Sequence, residues 1–242
     1  VTVYQGRSVA VIIPALDEAL SIAKVIRQLD QRLVDWVVVG DNGSSDGTPK
    51  IAAAAGALVV HEPRRGYGSA CLKAIAAVPR AEVLVFLDAD GSDDPRELSL
   101  LLEALFTGNA EIVIGARLND KAEPGSLTPV QKFGNTLTCG LVRLFWRARY
   151  TDLGPFRALR RSTFDQLGMV DPDFGWTIEM QVKAAQMGLE VVEVPVSYRR
   201  RQGGSSKVSG TILGSFRAGK RILEYVFAAK FRELVDRTRR TR

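Results

Sequence analysis

Five short apolar runs, Val9–Ile13, Trp36–Gly40, Leu58–His61, Val83–Leu87 and Ile112–Gly115, alternate with segments of helical periodicity. The runs are rich in Val and Ile and read as buried strands. Between them, Glu18–Gln31, Pro49–Gly56, Gly68–Val78 and Pro95–Phe106 are expected as helices. This βαβ alternation predicts an α/β fold: a mostly parallel sheet with helices on both faces and right-handed crossovers. From about residue 117 the rhythm changes. A loop over 118–129 precedes an amphipathic helix, Val130–Arg147, and a short strand, Phe156–Arg160. A helix at Thr177–Met187 and a strand at Glu190–Tyr198 follow. The basic, glycine-rich stretch Arg199–Gly210 then leads into a final amphipathic helix from Ile212 to about Arg237. With 242 residues and 46% hydrophobic content, the chain can bury a sizeable core. No repeat or low-complexity linker interrupts it. The expected division is one domain over 1–209, in halves meeting near 116–117, with a helical extension over 210–242.

The run Val83–Leu87 ends abruptly in Asp88-Ala89-Asp90-Gly91-Ser92-Asp93-Asp94-Pro95. Like charge so crowded at a buried strand end raises carboxylate pKa values, and a divalent cation would relieve it. Carboxylates with a hydroxyl are hard oxygen ligands of the kind Mg²⁺ or Mn²⁺ prefers. Asp88 and Asp90 are two apart and would share one face of an extended chain. Asp93 and Asp94, just before Pro95, read better as N-cap residues of the next helix. Two further strand ends carry polar punctuation, Pro14–Glu18 and Asp41–Thr48. In a parallel sheet all three loops lie along one edge, where open α/β sheets bind ligands. No G-x-G-x-x-G follows the first strand and no Walker-type loop is present, which argues against dinucleotide dehydrogenases and P-loop enzymes.

The net charge is +6, with basic residues clustered at Arg199–Arg201 and through the last helix. Phosphorylated ligands or acidic membrane surfaces suit this balance. Nucleic acid suits it less, because the acidic strand-end loops would repel phosphate unless metal-loaded. Cys71 and Cys139 have no metal-ligand spacing and are expected as buried thiols in a reducing cytoplasm. No stretch approaches the roughly 18 apolar residues of a membrane span and no signal peptide opens the chain. A soluble protein, peripheral at most and at the cytoplasmic face of a membrane, is expected.

The ordered triplet "IIPALDE", "DNGSSDGT" and "DADGSDDP" resembles family 2 glycosyltransferases of the GT-A fold, in particular the dolichyl- or polyprenyl-phosphate sugar synthases. Thr151–Arg157 is similar to that branch's D-x-x-x-x-F-R segment, and Arg201–Lys207 to its R-x-x-G-x-S-K segment. The resemblance implies a donor half before residue 117 and an acceptor half after it. Pro14, Leu16 and Glu18 then line the nucleotide pocket, with Asp41 near base and ribose. Asn42 stands where a second acid is common. Asp88, Ala89 and Asp90 match the D-x-D segment, with Asp90 the firmest metal ligand and Ser92 where some relatives carry Gln. Gly66 and Gly68 match a glycine pair near the donor. Tyr67 lies between them where lysine is frequent, and Arg64 or Arg65 either supplies the missing charge or is a solvated loop residue.

The implied reaction is inverting transfer of a hexose from a UDP- or GDP-linked sugar to a polyprenyl or dolichyl phosphate. His61 is the sole histidine, so no Ser-His-Asp or Cys-His constellation can form. A phosphate monoester, with a second pKa near 6, needs no base; it needs cations. Arg117, Lys132, Arg201 and Lys207 are the candidates, and the resemblance supports Arg117 and Arg201. Glu179 is the candidate base for a hydroxyl acceptor, or else it orients a cationic or backbone group. Trp176 either stacks on sugar or lipid, or belongs to the core. In the last helix Ile212, Leu213, Phe216, Ile222, Leu223, Val226, Phe227, Phe231 and Leu234 form an apolar face opposite basic residues, as in helices that lie in a membrane interface. The alternative is a helix packed on its own domain or on a partner in a homo-oligomer. Rival enzyme readings are a family 2 transferase with a soluble or glycan hydroxyl acceptor, and a sugar nucleotidyltransferase. The latter usually carries a glycine- and lysine-bearing loop where this chain has IPALDE.

Overall fold

The computed structural model describes residues 6–201 and 212–240, and within the last helix the side chains of 219–236 and 238. The element order is β1 (Val9–Ala15), α1 (Ile22–Gln28), β2 (Trp36–Asp41), α2 (Thr48–Ala54), β3 (Leu58–His61), α3 (Tyr67–Ala76) and β4 (Val83–Phe86). A 3-10 turn (Pro95–Glu97) then leads to α4 (Leu98–Thr107), β5 (Ile112–Ala116), α5 (Pro129–Trp146), β6 (Arg157–Arg160), α6 (Arg161–Leu167), α7 (Trp176–Met187), β7 (Val191–Pro195) and α8 (Ile212–Arg240). The seven strands form one sheet in the order β3-β2-β1-β4-β6-β5-β7. All neighbours are parallel except β6, which runs antiparallel to both β4 and β5. The expected mostly parallel α/β sheet is therefore what forms.

Alternation along the central strands explains the layers. Val9, Val11 and Ile13 of β1 point to a core shared with α1 and α4 (Ile22, Val25, Ile26, Leu101, Leu105). Ala10 and Ile12 point the other way, to a core with α3 and α7 (Cys71, Ile75, Trp176, Met180). Both faces are covered, which is why these strands are continuously apolar. A third cluster joins α5, α7 and α8 through Val142, Ile178, Val182, Val226 and Ala229.

Three expectations are corrected. The helix expected from Glu18 begins at Ile22, because Asp17 takes a left-handed φ of 53° and accepts hydrogen bonds from Ser45. Helix α6 was not anticipated. It follows β6 without a loop, and its Phe164 and Leu167 pack into the α3–α7 core. In α8 the expected single apolar face is divided: Val226 and Ala229 are buried against the domain, whereas Phe227, Phe231 and Leu234 are exposed. Ile212, Leu213 and Phe216 have side chains outside the described set. Cys71 and Cys139 are buried free thiols; burial pushes the Cys139 thiol up to about 12.

Of the two acids before Pro95, Asp94 is the cap. It accepts from the backbone N–H of Arg96 at 3.2 Å and pairs with the guanidinium groups of Arg96 (2.7 Å) and Arg199 (2.6 Å). The Arg96 hydrogen bond, above all, holds its carboxyl below the usual range. Asp94→Ala is expected to destabilise the fold by at least the ~0.5–2 kcal/mol of a lost cap. Because the folded-state pKa is depressed, this stabilisation is present above the unfolded value of about 3.9 and fades as pH falls through the folded one. Urea titrations of both proteins should thus diverge at pH 7 and converge in strong acid; equal midpoints at pH 7 would contradict the assignment.

Candidate active site

The strand order turns at β1 and β4, whose connections leave in opposite directions, and ligand crevices open at such points. The loops after β1 and β4 lie side by side there, Ile12 pairing with Phe86. Strand β6, being antiparallel, starts at the edge where β4 and β5 end, and so delivers Asp152–Phe156 to the same place. Residues after β7 arrive there too. Together these segments line a cleft of about 1470 Å³.

Pro14, Leu16, Glu18, Asn42, Gly66, Asp88, Ala89, Asp90, Ser92, Arg117 and Arg201 all line this cleft. The tyrosine hydroxyl of Tyr67 donates to Asp88 Oδ1 at 2.8 Å. Burial, then the charge of Asp90, lifts the Asp88 carboxyl to about 7. Asp90 Oδ1 accepts from the Ser92 N–H at 2.9 Å and its Oδ2 from Arg201 Nη1 at 3.2 Å. Arg201 also pairs with Glu18, whose carboxyl burial raises in spite of that partner. Beneath them lies Asp93, 1% exposed, with neither carboxylate oxygen hydrogen-bonded. Burial and the field of Asp88 push its pKa well up.

The unpartnered carboxylate of Asp93 beside Asp88 and Asp90 makes a hard-oxygen donor set that a divalent cation would fit. Among the described residues no three acidic, histidine or cysteine groups gather into a cage. Mg²⁺ sites commonly consist of one or two carboxylates completed by substrate phosphates, and Asp88 and Asp90 on the cleft floor suit that arrangement.

Arg117 donates to both oxygens of Asp152, at 2.9 and 2.7 Å, and its guanidinium lies 4.9 Å from the Tyr198 ring centroid. Burial disfavours its charge, but Asp152 more than offsets this and raises the pKa. Arg157, 1% exposed, donates to Gly154 O, Thr177 O and Gln181 Oε1; burial lowers it to about 10. Asp152 and Arg157 of the D-x-x-x-x-F-R segment thus brace the cleft from behind, while Leu153 and Pro155 line it. Asn42 spends its amide on the loop after β3, donating to Glu62 O and Arg64 O and accepting from the Gly66 N–H. Gly66 and Gly68 let that loop touch the segment after α6: a Cβ at either would sit 2.2 Å from Pro172 O or 2.0 Å from Asp171 O. Of the two neighbouring arginines, Arg65 reaches the cleft and donates to Gly43 O.

Asp41, Glu179 and Lys132 are not among the residues that line this cleft. Asp41 is 3% exposed and accepts from Gly43 and Ser44 N–H groups, with His61 Nδ1 at 3.0 Å; it is not part of the cleft lining. Glu179 is fully buried, accepting from the Val170 and Asp171 N–H groups and pairing with Lys183 at 2.8 Å. Its carboxylate is committed to these groups, and it is not part of the cleft lining. Lys132 is exposed on α5 and outside the lining, because the helix turns Val130, Gln131 and Phe133 inward to the groove instead. Lys207 lies outside the described residues. Trp176 is core and meets Phe86 edge-on at 5.8 Å, although one edge reaches the cleft. Sequence reasoning missed Tyr67 as the partner of Asp88 and Tyr198 as the partner of Arg117. The lysine-to-tyrosine departure at 67 was the available signal for the first.

Residues 10–174 match the family model described as glycosyl transferase family 2. The chain belongs to that family. A glycosyltransferase of Mycobacterium tuberculosis is 39% identical over 211 residues, spanning 87% of this chain and 94% of the relative. The undecaprenyl-phosphate mannosyltransferase of Micrococcus luteus is 30% identical over 219 residues, spanning 85% and 89%. Among solved structures, glucosyl-3-phosphoglycerate synthase from Mycobacterium tuberculosis, in complex with Mn²⁺, UDP-glucose and phosphoglyceric acid, superposes with a TM-score of 0.76 at 22% identity, over 93% of this chain and 80% of that one. This family 2 glycosyltransferase therefore has the expected GT-A fold. Its cleft lies where the three sequence motifs converge.

Proposed function

We propose that this chain is an inverting hexosyltransferase that moves a hexose from a UDP- or GDP-linked sugar to a polyprenyl or dolichyl phosphate at a membrane surface. One observation carries the reading. From the carboxylates, the cleft continues between α5 and α8 into an apolar groove lined by Val130, Phe133, Leu137, Leu223 and Phe227. Val130, Phe133 and Phe227 are 64%, 69% and 53% exposed, and Leu144, Phe231 and Leu234 on the same two helices are exposed as well. A sugar or phosphorylated small acid has no use for such a groove; a prenyl chain does. The named specificity of the Micrococcus relative supports the same acceptor class. Lys220 on α8, beside the groove, suits an anionic headgroup. No described helix is long and apolar enough to cross a membrane.

In this reading Pro14–Glu18, Asn42 and Arg65 hold the nucleotide. Asp88 and Asp90 hold Mg²⁺ or Mn²⁺, which neutralises charge on the diphosphate leaving group. Arg117 and Arg201, with Lys207, hold the acceptor phosphate, one of whose oxygens attacks the anomeric carbon from the face opposite the leaving group. That phosphate is dianionic above a pKa near 6, so no protein base is required. The commitment of Glu179 to backbone amides agrees with this.

The test is incubation with a panel of nucleotide sugars and Mn²⁺, offering polyprenyl phosphate, polyprenol or a soluble phosphorylated hydroxy acid. Transfer to the prenyl phosphate alone is expected; equal use of polyprenol or of the soluble acid would overturn the reading. Phe133→Ser and Phe227→Ser should each raise KM for a long-chain acceptor by roughly tenfold or more, from the ~1.5–3 kcal/mol of a buried aromatic contact. KM for an acceptor truncated to one isoprene unit should hardly change. Equal effects on both acceptors would place the prenyl chain elsewhere.

A further inference from the structure

The segment after β7 is fastened to the loop after β4. Tyr198 bridges Asp93 in antiparallel fashion, the Arg199 N–H donates to Ser92 O at 2.8 Å, and the Arg199 side chain pairs with Asp94. Two residues beyond this anchor, Arg201 reaches into the cleft with its side chain 19% exposed. Its guanidinium spans Asp90 and Glu18. Both oxygens of Asp90 are engaged as a result, one by the Ser92 N–H and the other by Arg201. A half-buried guanidinium between two carboxylates neutralises the charge that a divalent cation would otherwise neutralise.

We propose that Arg201 is the resident cation of the metal site, and that Arg201 and a divalent metal are alternative occupants of the Asp90 carboxylate. The inference rests on the metal assignment above and adds an exchange to it. Loading metal with the nucleotide displaces the guanidinium from Asp90. Its fork of donors then becomes available for the acceptor's phosphate, which bidentate guanidinium geometry suits. Because the segment carrying Arg201 is hydrogen-bonded to the loop after β4, its side chain can exchange partners without leaving the cleft. Donor loading thereby favours acceptor binding, and by thermodynamic reciprocity the acceptor phosphate favours metal-nucleotide binding.

The experiment is titration of the purified protein with Mn²⁺, with free Mn²⁺ read from its EPR signal, with and without UDP. Without UDP, Arg201→Ala should bind Mn²⁺ about tenfold more tightly than wild type. Arg199→Ala removes the same charge from the same segment and should change the affinity by less than about threefold. Adding Asp90→Ala to Arg201→Ala should abolish the gain. In wild type, Mn²⁺ with UDP should tighten binding of short-chain prenyl phosphate, and this linkage should vanish in Arg201→Ala. Wild type that binds Mn²⁺ with UDP, beside an Arg201→Ala variant with no gain, would overturn the exchange and leave the metal assignment standing. A gain equal in Arg199→Ala would reduce the effect to bulk charge and overturn it likewise. Absence of Mn²⁺ binding in every variant, with or without UDP, would overturn both.

Discussion

Asp90→Ala is expected to reduce kcat/KM by roughly 10³-fold or more, because on the proposed reading it removes the carboxylate that would hold the cation at the diphosphate, a charge-stabilising contribution of several kcal/mol. The fold should survive. Asp90 shares its enclosure with Asp88 and Asp93, whose pKa values its charge helps to raise. Deleting one of three crowded acids relieves repulsion while costing the Arg201 pair, so the melting temperature should stay level or rise slightly. Lost activity beside unchanged stability marks a functional carboxylate. Retained activity in Asp90→Ala, or full wild-type activity in EDTA, would remove the metal from the mechanism.

The second large effect belongs to Asp152→Ala. Asp152 is fully buried and accepts three hydrogen bonds from Arg117, two from the guanidinium and one, at 2.6 Å, from the backbone N–H. Removing one member of a buried pair leaves an uncompensated charge and costs about 3–5 kcal/mol. At this chain length that corresponds to a fall of roughly 10 °C in Tm. Replacing both partners, as in Arg117→Met with Asp152→Leu, should recover much of the stability, since apolar substitutes of similar volume are often neutral. Activity should not return with it, because Arg117 also lines the cleft. A calorimetric scan of the three proteins separates brace from contact. A Tm for Asp152→Ala within about 2 °C of wild type would show that the pair carries little.

The donor half was the legible part. Strand β3 has the expected ends, Leu58 and His61, because apolar alternation stops at Pro63 and the Arg64-Arg65 turn. Helix α5 starts one residue before the expected Val130, with Thr128 and Gln131 forming a reciprocal cap ahead of Pro129. The three motif loops converge because parallel strands leave them no other edge. Pairings across the chain were not legible. Nothing local says that Asp90 meets a residue 111 positions away, or that Asn42 is spent on the turn at Glu62–Gly66. Glu179 shows the same limit. Its helix position was right, but which way the carboxylate faces depends on the Val170–Asp171 turn, and only the tertiary packing reveals that.

The bridge between Asp93 and Tyr198, with the Arg199 N–H on Ser92 O, also bears on how such an enzyme changes over evolutionary time. On the proposed reading, donor and acceptor contacts sit on segments that share backbone hydrogen bonds, so a change in one strains the other. A chimera grafting 197–201 from a relative with a different acceptor, but keeping this chain's 92–94, splits one hydrogen-bonded unit between two lineages. On that reading, an engineer seeking a new acceptor should carry the acidic turn along with the segment after β7.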